Sequence, residues 1–277
     1  MSVRREWDEP PAGGLALPRP ADVTRKLLIV NGAIWFGLFL LMRFAPSLGA
    51  PLKSWLQLDA DLWAAWLPFV PLWQLVTYGF LHAPFEVTHV LFNLLTLYFF
   101  GTALEGTLGS RRFLWHYMVA LVLGGVVQLG LSFVSLAAGG VAYPTLGASG
   151  AVMAVLVAMA TLQPDTRVIF ILFPLRLRTL ALILVGLDVF RMLSGGAGVA
   201  WAVHLTGAAY GFLAVRRGFV WSDPLEALAK RRRRVEVERR HDEAARLDEL
   251  LARIHDKGLG ALSEREKAFL KRVSKRP

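Results

Sequence analysis

The sequence predicts an all-α membrane protein that crosses the bilayer several times as a bundle of six spanning helices. Of its 277 residues, 55% are hydrophobic and only 19% are charged, and the mean hydropathy is +0.47. A soluble domain carries about 25% charge. The apolar residues gather in runs without Asp, Glu, Lys or Arg, which cover 27–42, 113–142, 146–164 and 192–215. Because a spanning helix needs about 20 mostly apolar residues, these runs indicate an integral membrane protein.

Six apolar segments account for the predicted helices. They lie near 27–44, 86–104, 113–137, 148–163, 179–194 and 199–217.

The stretch 62–81 is apolar enough to span, but it contains Pro68, Pro71 and three tryptophans. Proline removes a helix hydrogen bond, and tryptophan favours the membrane interface. If this stretch also spanned, the basic run at 231–234 would move to the outer side, against the positive-inside bias. We therefore expect 62–81 to be a lid or hairpin in the outer interface.

The charge distribution predicts the domain organisation. Basic residues beside the apolar runs favour a cytoplasmic N-terminal segment 1–26, a membrane domain 27–217 and a basic cytoplasmic helical tail 222–277, in the plasma membrane. The tail is expected to form helices over 224–255 and 264–273. The segment 168–175 is too short to cross and is expected to lie against the cytoplasmic face.

The net charge of +10 is explained by topology and by contacts with lipid head groups rather than by nucleic-acid binding. Cysteine is absent, which excludes disulfides and a thiolate nucleophile. We expect no metal site and no cofactor.

Five polar side chains within the spanning helices are candidates for a functional site, because polar groups are costly in the membrane. His89 and Asn93 lie on the second helix, Ser149 opens the fourth, Asp188 lies on the fifth and His204 lies on the sixth. With 1.5 Å of rise per residue, all five fall in the outer half of the membrane. This convergence predicts a site.

Small residues permit close approach of the fourth and sixth helices. Gly207 and Gly211 share a face with His204, and Gly or Ala recurs at every fourth position of 150–158. Such faces allow helix backbones to approach each other. Ser149 and His204 can then form the hydrogen bond that activates a serine nucleophile.

The polar groups near Ser149 and His204 can have catalytic or structural roles. Backbone N–H groups at the start of the fourth helix, with Asn93 and His89, can stabilise an oxyanion, but helix packing is the competing role for both side chains. Asp188 is expected to cap or tie its helix rather than to transfer protons. Glu105 is expected to bond backbone groups of the turn 105–110.

Four motifs resemble those of rhomboid proteases. GASG at 147–150 resembles the GxSG nucleophile motif, and HLTGAAYG at 204–211 resembles the histidine helix. HVLFN at 89–93 is similar to the second-helix HxxxN element, and EGTLG at 105–109 to the ExxxG turn. The resemblance covers about 25–217, and the tail resembles an appendage of some bacterial rhomboids.

The resemblance implies an intramembrane serine endopeptidase with a six-helix core. It also implies a catalytic Ser–His dyad without an acidic third residue. It assigns Ser149 as nucleophile, His204 as general base and then acid, and Asn93 and His89 as oxyanion donors. The implied partners are the lipid bilayer and transmembrane protein substrates with helix-destabilising residues near the outer boundary. Two positions depart from the pattern: Gln74 follows Trp73 where the family often has arginine, and Met153 replaces an aromatic residue.

Other functions are considered alongside the protease. The first is a catalytically silent rhomboid-like protein that binds membrane clients. The second is a transporter or proton conductor that uses His89, Asp188 and His204 as a relay, although a relay needs polar groups through the whole membrane depth. A metalloprotease is disfavoured because the sequence has no HExxH motif.

Overall fold

Helices make up nearly all the regular structure of the protein, which confirms the all-α class. The structure, a computed structural model, describes residues 19–170, 173–195, 201–221, 223–258, 260 and 262–273. The chain divides into two compact units, Met1–Ser222 and Asp223–Pro277.

The first unit begins with a long helix and then a string of short ones. These are α1 (Asp22–Phe44), α2 (Pro46–Leu56), α3 (Ala60–Ala65) and α4 (Gln74–Thr77).

Its second half carries the site. In chain order, the elements are α5 (Val87–Thr96), α6 (Thr102–Leu108), α7 (Ser110–Ala137), α8 (Ser149–Leu162), the strands β1 (Arg167–Phe170) and β2 (Phe173–Arg176), α9 (Leu177–Leu193) and α10 (Trp201–Arg216). A π-type turn, Leu97–Gly101, joins α5 to α6.

Several helices have the length and composition of membrane spans. Within the described residues, three segments qualify: α1, α7, and the continuous stretch Val87–Leu108 formed by α5 and α6. Helix α8 is apolar but shorter, with 14 residues. Helices α9 and α10 have 17 and 16 residues, and the predicted start of the last helix, near 199, lies outside the described residues. The chain is therefore a membrane protein.

The stretch 62–81 contains the last four residues of α3, all of α4 and a 3-10 turn, Tyr78–Phe80. Helix α2, which precedes it, was not predicted. Gln74 ties this region together. Its Oε1 accepts hydrogen bonds from Trp63 Nε1 at 3.0 Å and from the Asp59 N–H at 3.1 Å, and its Nε2 donates to the Trp55 carbonyl at 3.2 Å. A buried amide thus provides the internal tether at the position where the resemblance suggests arginine.

In place of the predicted segment 168–175, the strands β1 and β2 pair antiparallel, with Arg167 opposite Arg176 and Phe170 opposite Phe173; residues 171 and 172 lie outside the described residues. The strands were not predicted. Val168, Ile169 and Phe170 in β1 and Phe173 in β2 are β-branched or aromatic, and such residues favour extended backbone. Beside this strand pair, Asp165 forms ion pairs with Arg176 and Arg178 at 3.1 and 3.3 Å.

Glu105 joins the start of α1 to the junction of α6 and α7. Its carboxylate accepts hydrogen bonds from the N–H groups of Val23 and Thr24 at 3.0 and 2.7 Å, and from the hydroxyl of Ser110 at 2.5 Å. The prediction that Glu105 bonds backbone in its own turn was wrong. The carboxylate instead binds the unpaired N–H groups and positive dipole end of another helix.

Helices α8 and α10 are in backbone contact. A Cβ atom on Gly207 would lie 2.0 Å from the carbonyl oxygen of Gly150, and one on Gly211 would lie 2.4 Å from that of Ala154. Both distances are shorter than real Cβ contacts allow. Only glycine permits this approach, which sets the positions of the side chains at the start of both helices.

The second unit contains α11 (Pro224–Lys257) and α12 (Glu264–Val273), in the two segments where the sequence predicts helices. Leu250 and Leu262 are buried in a small apolar cluster. Glu266 accepts hydrogen bonds from the N–H and hydroxyl of Ser263, both at 2.8 Å, which forms a capping box.

Candidate active site

Ser149 and His204 meet at the starts of the two helices in backbone contact. Ser149 is the first residue of α8, and His204 lies one turn into α10. The distance from His204 Nε2 to Ser149 Oγ is 2.7 Å, which is a hydrogen bond. The two residues are 55 positions apart in the chain, and the glycine contacts of α10 bring them together.

The turn before Ser149 depends on glycine. Gly147 has φ of +129°, a backbone conformation that side chains with a Cβ rarely adopt. A Cβ atom there would lie 3.0 Å from His89 Nε2 and 3.6 Å from Ser149 Oγ. The Gly147 N–H also donates to the carbonyl of Tyr78 at 2.9 Å, which anchors the turn. The Nε2 atom of His89 and the hydroxyl of Ser149 therefore both lie close to Gly147.

Asp188 contacts the other side of the histidine ring. Both of its carboxylate oxygens lie 3.1 Å from His204 Nδ1. The residue is only 2% exposed, and its second contact is Arg191 Nη1 at 3.4 Å. The expectation that Asp188 ties its own helix accounts for the Arg191 contact but misses the bond to His204. The resemblance implied no acidic partner for the histidine, and here the structure differs.

Asn93 lies one turn beyond His89 on α5. Its Nδ2 donates to the His89 carbonyl at 3.0 Å, so one of the two amide hydrogens stabilises the helix backbone. The ring of His89 packs edge-on against His82, with ring centroids 5.3 Å apart. His82 is fully buried. No role was predicted for His82 from the sequence, although its spacing of seven residues from His89 could have indicated that the two rings lie close together.

A cavity of about 1050 Å³ opens onto these groups. The predicted nucleophile, base and oxyanion donors all line it: Ser149, His204, Asn93 and His89. Met153, which replaces the aromatic residue of the family pattern, lines it as well. Glu105 is not part of this group, since its carboxylate binds the start of α1.

The arrangement has the parts that nucleophilic catalysis requires. A hydroxyl is bonded to an imidazole nitrogen, and the imidazole is bonded on its other side to a carboxylate. The first N–H groups of α8 have no acceptor within the helix and lie beside the hydroxyl. The groups can therefore support acyl transfer at the cavity wall.

Comparison with known proteins agrees with the geometry. The family model described as Rhomboid domain matches residues 71–219. The human presenilin-associated rhomboid-like protein, mitochondrial, is 32% identical over 144 residues, which cover 50% of this chain and 37% of that protein. RHOMBOID-like protein 12, mitochondrial, from Arabidopsis thaliana is 32% identical over 159 residues, covering 52% and 46%. Rhomboid protein 1, mitochondrial, from Saccharomyces cerevisiae is 30% identical over 155 residues, covering 56% and 40%.

The matched part spans less than half the length of these relatives. The Rhomboid domain, by contrast, covers more than half of this chain and includes both Ser149 and His204. The chain belongs to the rhomboid family.

Proposed function

We propose that the protein is an intramembrane serine endopeptidase in which Ser149 attacks and His204 carries the proton. The observation that carries the proposal is the 2.7 Å hydrogen bond between His204 Nε2 and Ser149 Oγ. As Oγ bonds to the substrate carbonyl carbon, its proton passes to Nε2. The same proton then passes to the leaving amine when the peptide bond breaks.

An acyl-enzyme on Ser149 is the product of this first half-reaction. A water molecule, deprotonated by His204, attacks the ester carbon, and Oγ leaves with the proton. The reaction as a whole hydrolyses one peptide bond and regenerates the hydroxyl.

The oxyanion is stabilised by N–H donors that surround the serine. The N–H groups at the start of α8 are one source. The second amide hydrogen of Asn93 is another, since a primary amide has two hydrogens and the helix backbone uses one. His89 Nε2, beside Gly147, is the third.

The proposed substrates are transmembrane segments of other membrane proteins. The cavity lies between helices of a membrane domain, so a substrate reaches it from the bilayer. A peptide bond inside an intact helix is shielded by its backbone hydrogen bonds, and breaking those bonds in lipid is costly. We therefore propose that the cleaved segments carry helix-destabilising residues near the outer membrane boundary.

We also propose that the protein lies in a plasma membrane with both termini in the cytoplasm. The support is the excess of Lys and Arg in the segments assigned to that side. The relatives named above are described as mitochondrial. Fractionation tests the proposal, which predicts that the protein separates with plasma-membrane markers.

Cleavage of a reconstituted transmembrane substrate tests the activity. Ser149→Ala and His204→Ala should each abolish cleavage, while both proteins still insert and melt like the wild type. Thr161→Val is the matched control, because it removes a hydroxyl from the other end of α8, where Thr161 Oγ1 donates to the Val157 carbonyl. This control should cleave at the wild-type rate.

Normal cleavage by Ser149→Ala would refute the proposed function. Binding of the substrate by all variants, with cleavage by none including the wild type, would instead favour the catalytically silent client-binding protein.

A further inference from the structure

The buried carboxylate of Asp188 is a group that the Ser149–His204 mechanism does not use. Charged side chains in the interior of a membrane protein are costly and are found where they pair with a functional partner. Asp188 is 2% exposed, and its two oxygens are equidistant from His204 Nδ1 at 3.1 Å. The carboxylate thus faces the imidazole rather than the lipid.

This contact decides which ring nitrogen of His204 carries the proton. An ionised carboxylate only accepts hydrogen bonds, so Nδ1 must be the donor. In a neutral imidazole, Nε2 is then the acceptor. Nε2 is the atom that lies 2.7 Å from Ser149 Oγ. The carboxylate therefore selects the tautomer that can take the proton of Ser149.

We propose that Asp188 is a positioning residue that completes a Ser149–His204–Asp188 triad, in addition to the two residues of the proposed function on which this inference rests. When His204 takes the proton of Ser149, the ring becomes a cation. The carboxylate, in contact with the Nδ1–H, then stabilises that cation without itself accepting the proton.

Arg191 does not account for Asp188 by itself. Its side chain is 50% exposed and lies 3.4 Å from the carboxylate, three residues along α9. Because the guanidinium is half exposed and its contact is longer than the two 3.1 Å contacts of the carboxylate with His204 Nδ1, the ion pair with Arg191 is the weaker of the two interactions. A mutation at Arg191 can therefore remove the ion pair of Asp188 while its contact with His204 is kept.

Asp188→Asn is the test, because it keeps the shape of the side chain and removes its charge. The amide can also present N–H groups to Nδ1, which favours the wrong tautomer. We expect kcat for a transmembrane substrate to fall by about 10²- to 10⁴-fold. KM should change by less than about threefold, since the buried side chain acts on the transition state rather than on substrate binding.

Arg191→Gln is the matched control, since it removes the ion pair and leaves the carboxylate on His204. Its kcat should stay within about fivefold of the wild type. An unchanged kcat in Asp188→Asn would overturn the triad, and so would equal losses in Asp188→Asn and Arg191→Gln. Either result would leave the proposed function standing, because that function is tested separately by the wild-type protein and Ser149→Ala.

If Asp188→Asn does not fold, the tautomer of His204 in the wild-type protein tests the triad instead. Nitrogen-15 NMR of histidine-labelled protein in detergent distinguishes the two neutral tautomers. The triad predicts a protonated Nδ1 and an unprotonated Nε2 for His204. The opposite tautomer would overturn it.

Discussion

The glycine contact between α8 and α10 leads to a prediction that can be worked out from distances. In Gly207→Ala, the new Cβ atom would lie 2.0 Å from the carbonyl oxygen of Gly150, whereas real Cβ contacts are essentially never shorter than 3.0 Å. The helices must therefore separate by at least about 1 Å, since neither group is a flexible side-chain end. Overpacking of this kind costs about 1–3 kcal/mol of stability.

The separation should have a larger effect on activity than on stability. His204 lies one turn from Gly207 on the same helix, so its 2.7 Å bond to Ser149 would lengthen to about 3.7 Å, beyond the usual hydrogen-bond range. Misplacement by about 1 Å can reduce a rate about 10²-fold. We expect kcat/KM of Gly207→Ala to fall by about that factor, with a modest decrease in Tm.

Gly186→Ala is the control for this experiment. A Cβ atom on Gly186, which lies in α9, would have nothing within 4 Å. The substitution should therefore keep wild-type kcat/KM and be neutral or slightly stabilising. Wild-type activity of Gly207→Ala, or the same loss in both variants, would refute the argument that backbone contact aligns the two side chains.

Three further predictions concern stability. Gln74→Leu should lower Tm in detergent, because it leaves the buried Trp63 indole without its acceptor, at a cost of about 1–3 kcal/mol; unchanged Tm would contradict the tether. Glu105→Gln should also lower Tm, since charge-assisted bonds to a helix start are about twice as strong as neutral ones; a variant as stable as the wild type would argue against this cap. The bonds from Ser263, first its N–H and then its hydroxyl, lower the pKa of Glu266. A lowered pKa contributes stability that is complete above the ordinary value of 4.5 and is lost as the pH falls from there through the lowered pKa. Hydrogen exchange at the start of α12, corrected for the intrinsic rate, should therefore speed up over that range. Corrected exchange that does not depend on pH would contradict the capping box.

The convergence of Ser149 and His204 could be predicted from the sequence because it rests on local features. Glycines at fixed spacing mark the faces of α8 and α10 that can touch, and the topology places both side chains at similar depth. The glycine contacts in the structure have this geometry.

The bond between Asp188 and His204 could not be predicted in the same way. A membrane helix such as α9 is apolar around most of its surface, so periodicity does not determine its rotation. Asp188 and His204 are also separated by a connection whose path the sequence does not specify. The sequence therefore predicts a depth for Asp188 in the membrane, but not the direction in which its carboxylate points.

The stretch 62–81 also shows the difference between what local sequence predicts and what tertiary packing decides. The proline and tryptophan content of 62–81 predicts an interfacial segment, which stays a prediction. The tether depends on which groups Gln74 reaches in the folded chain. These are the indole of Trp63 and the backbone of Asp59 and Trp55. Long-range side-chain partners of this kind are set by tertiary packing, and no local pattern encodes them.

Mass spectrometry of the protein after treatment with a fluorophosphonate tests the central claim most directly. The reagent forms a covalent bond with a serine only when a base activates the hydroxyl. The account predicts a single adduct on Ser149 in the wild type, and loss of that adduct in His204→Ala even though the hydroxyl remains. An unmodified Ser149 in folded wild-type protein, or labelling that persists at full rate without His204, would contradict it.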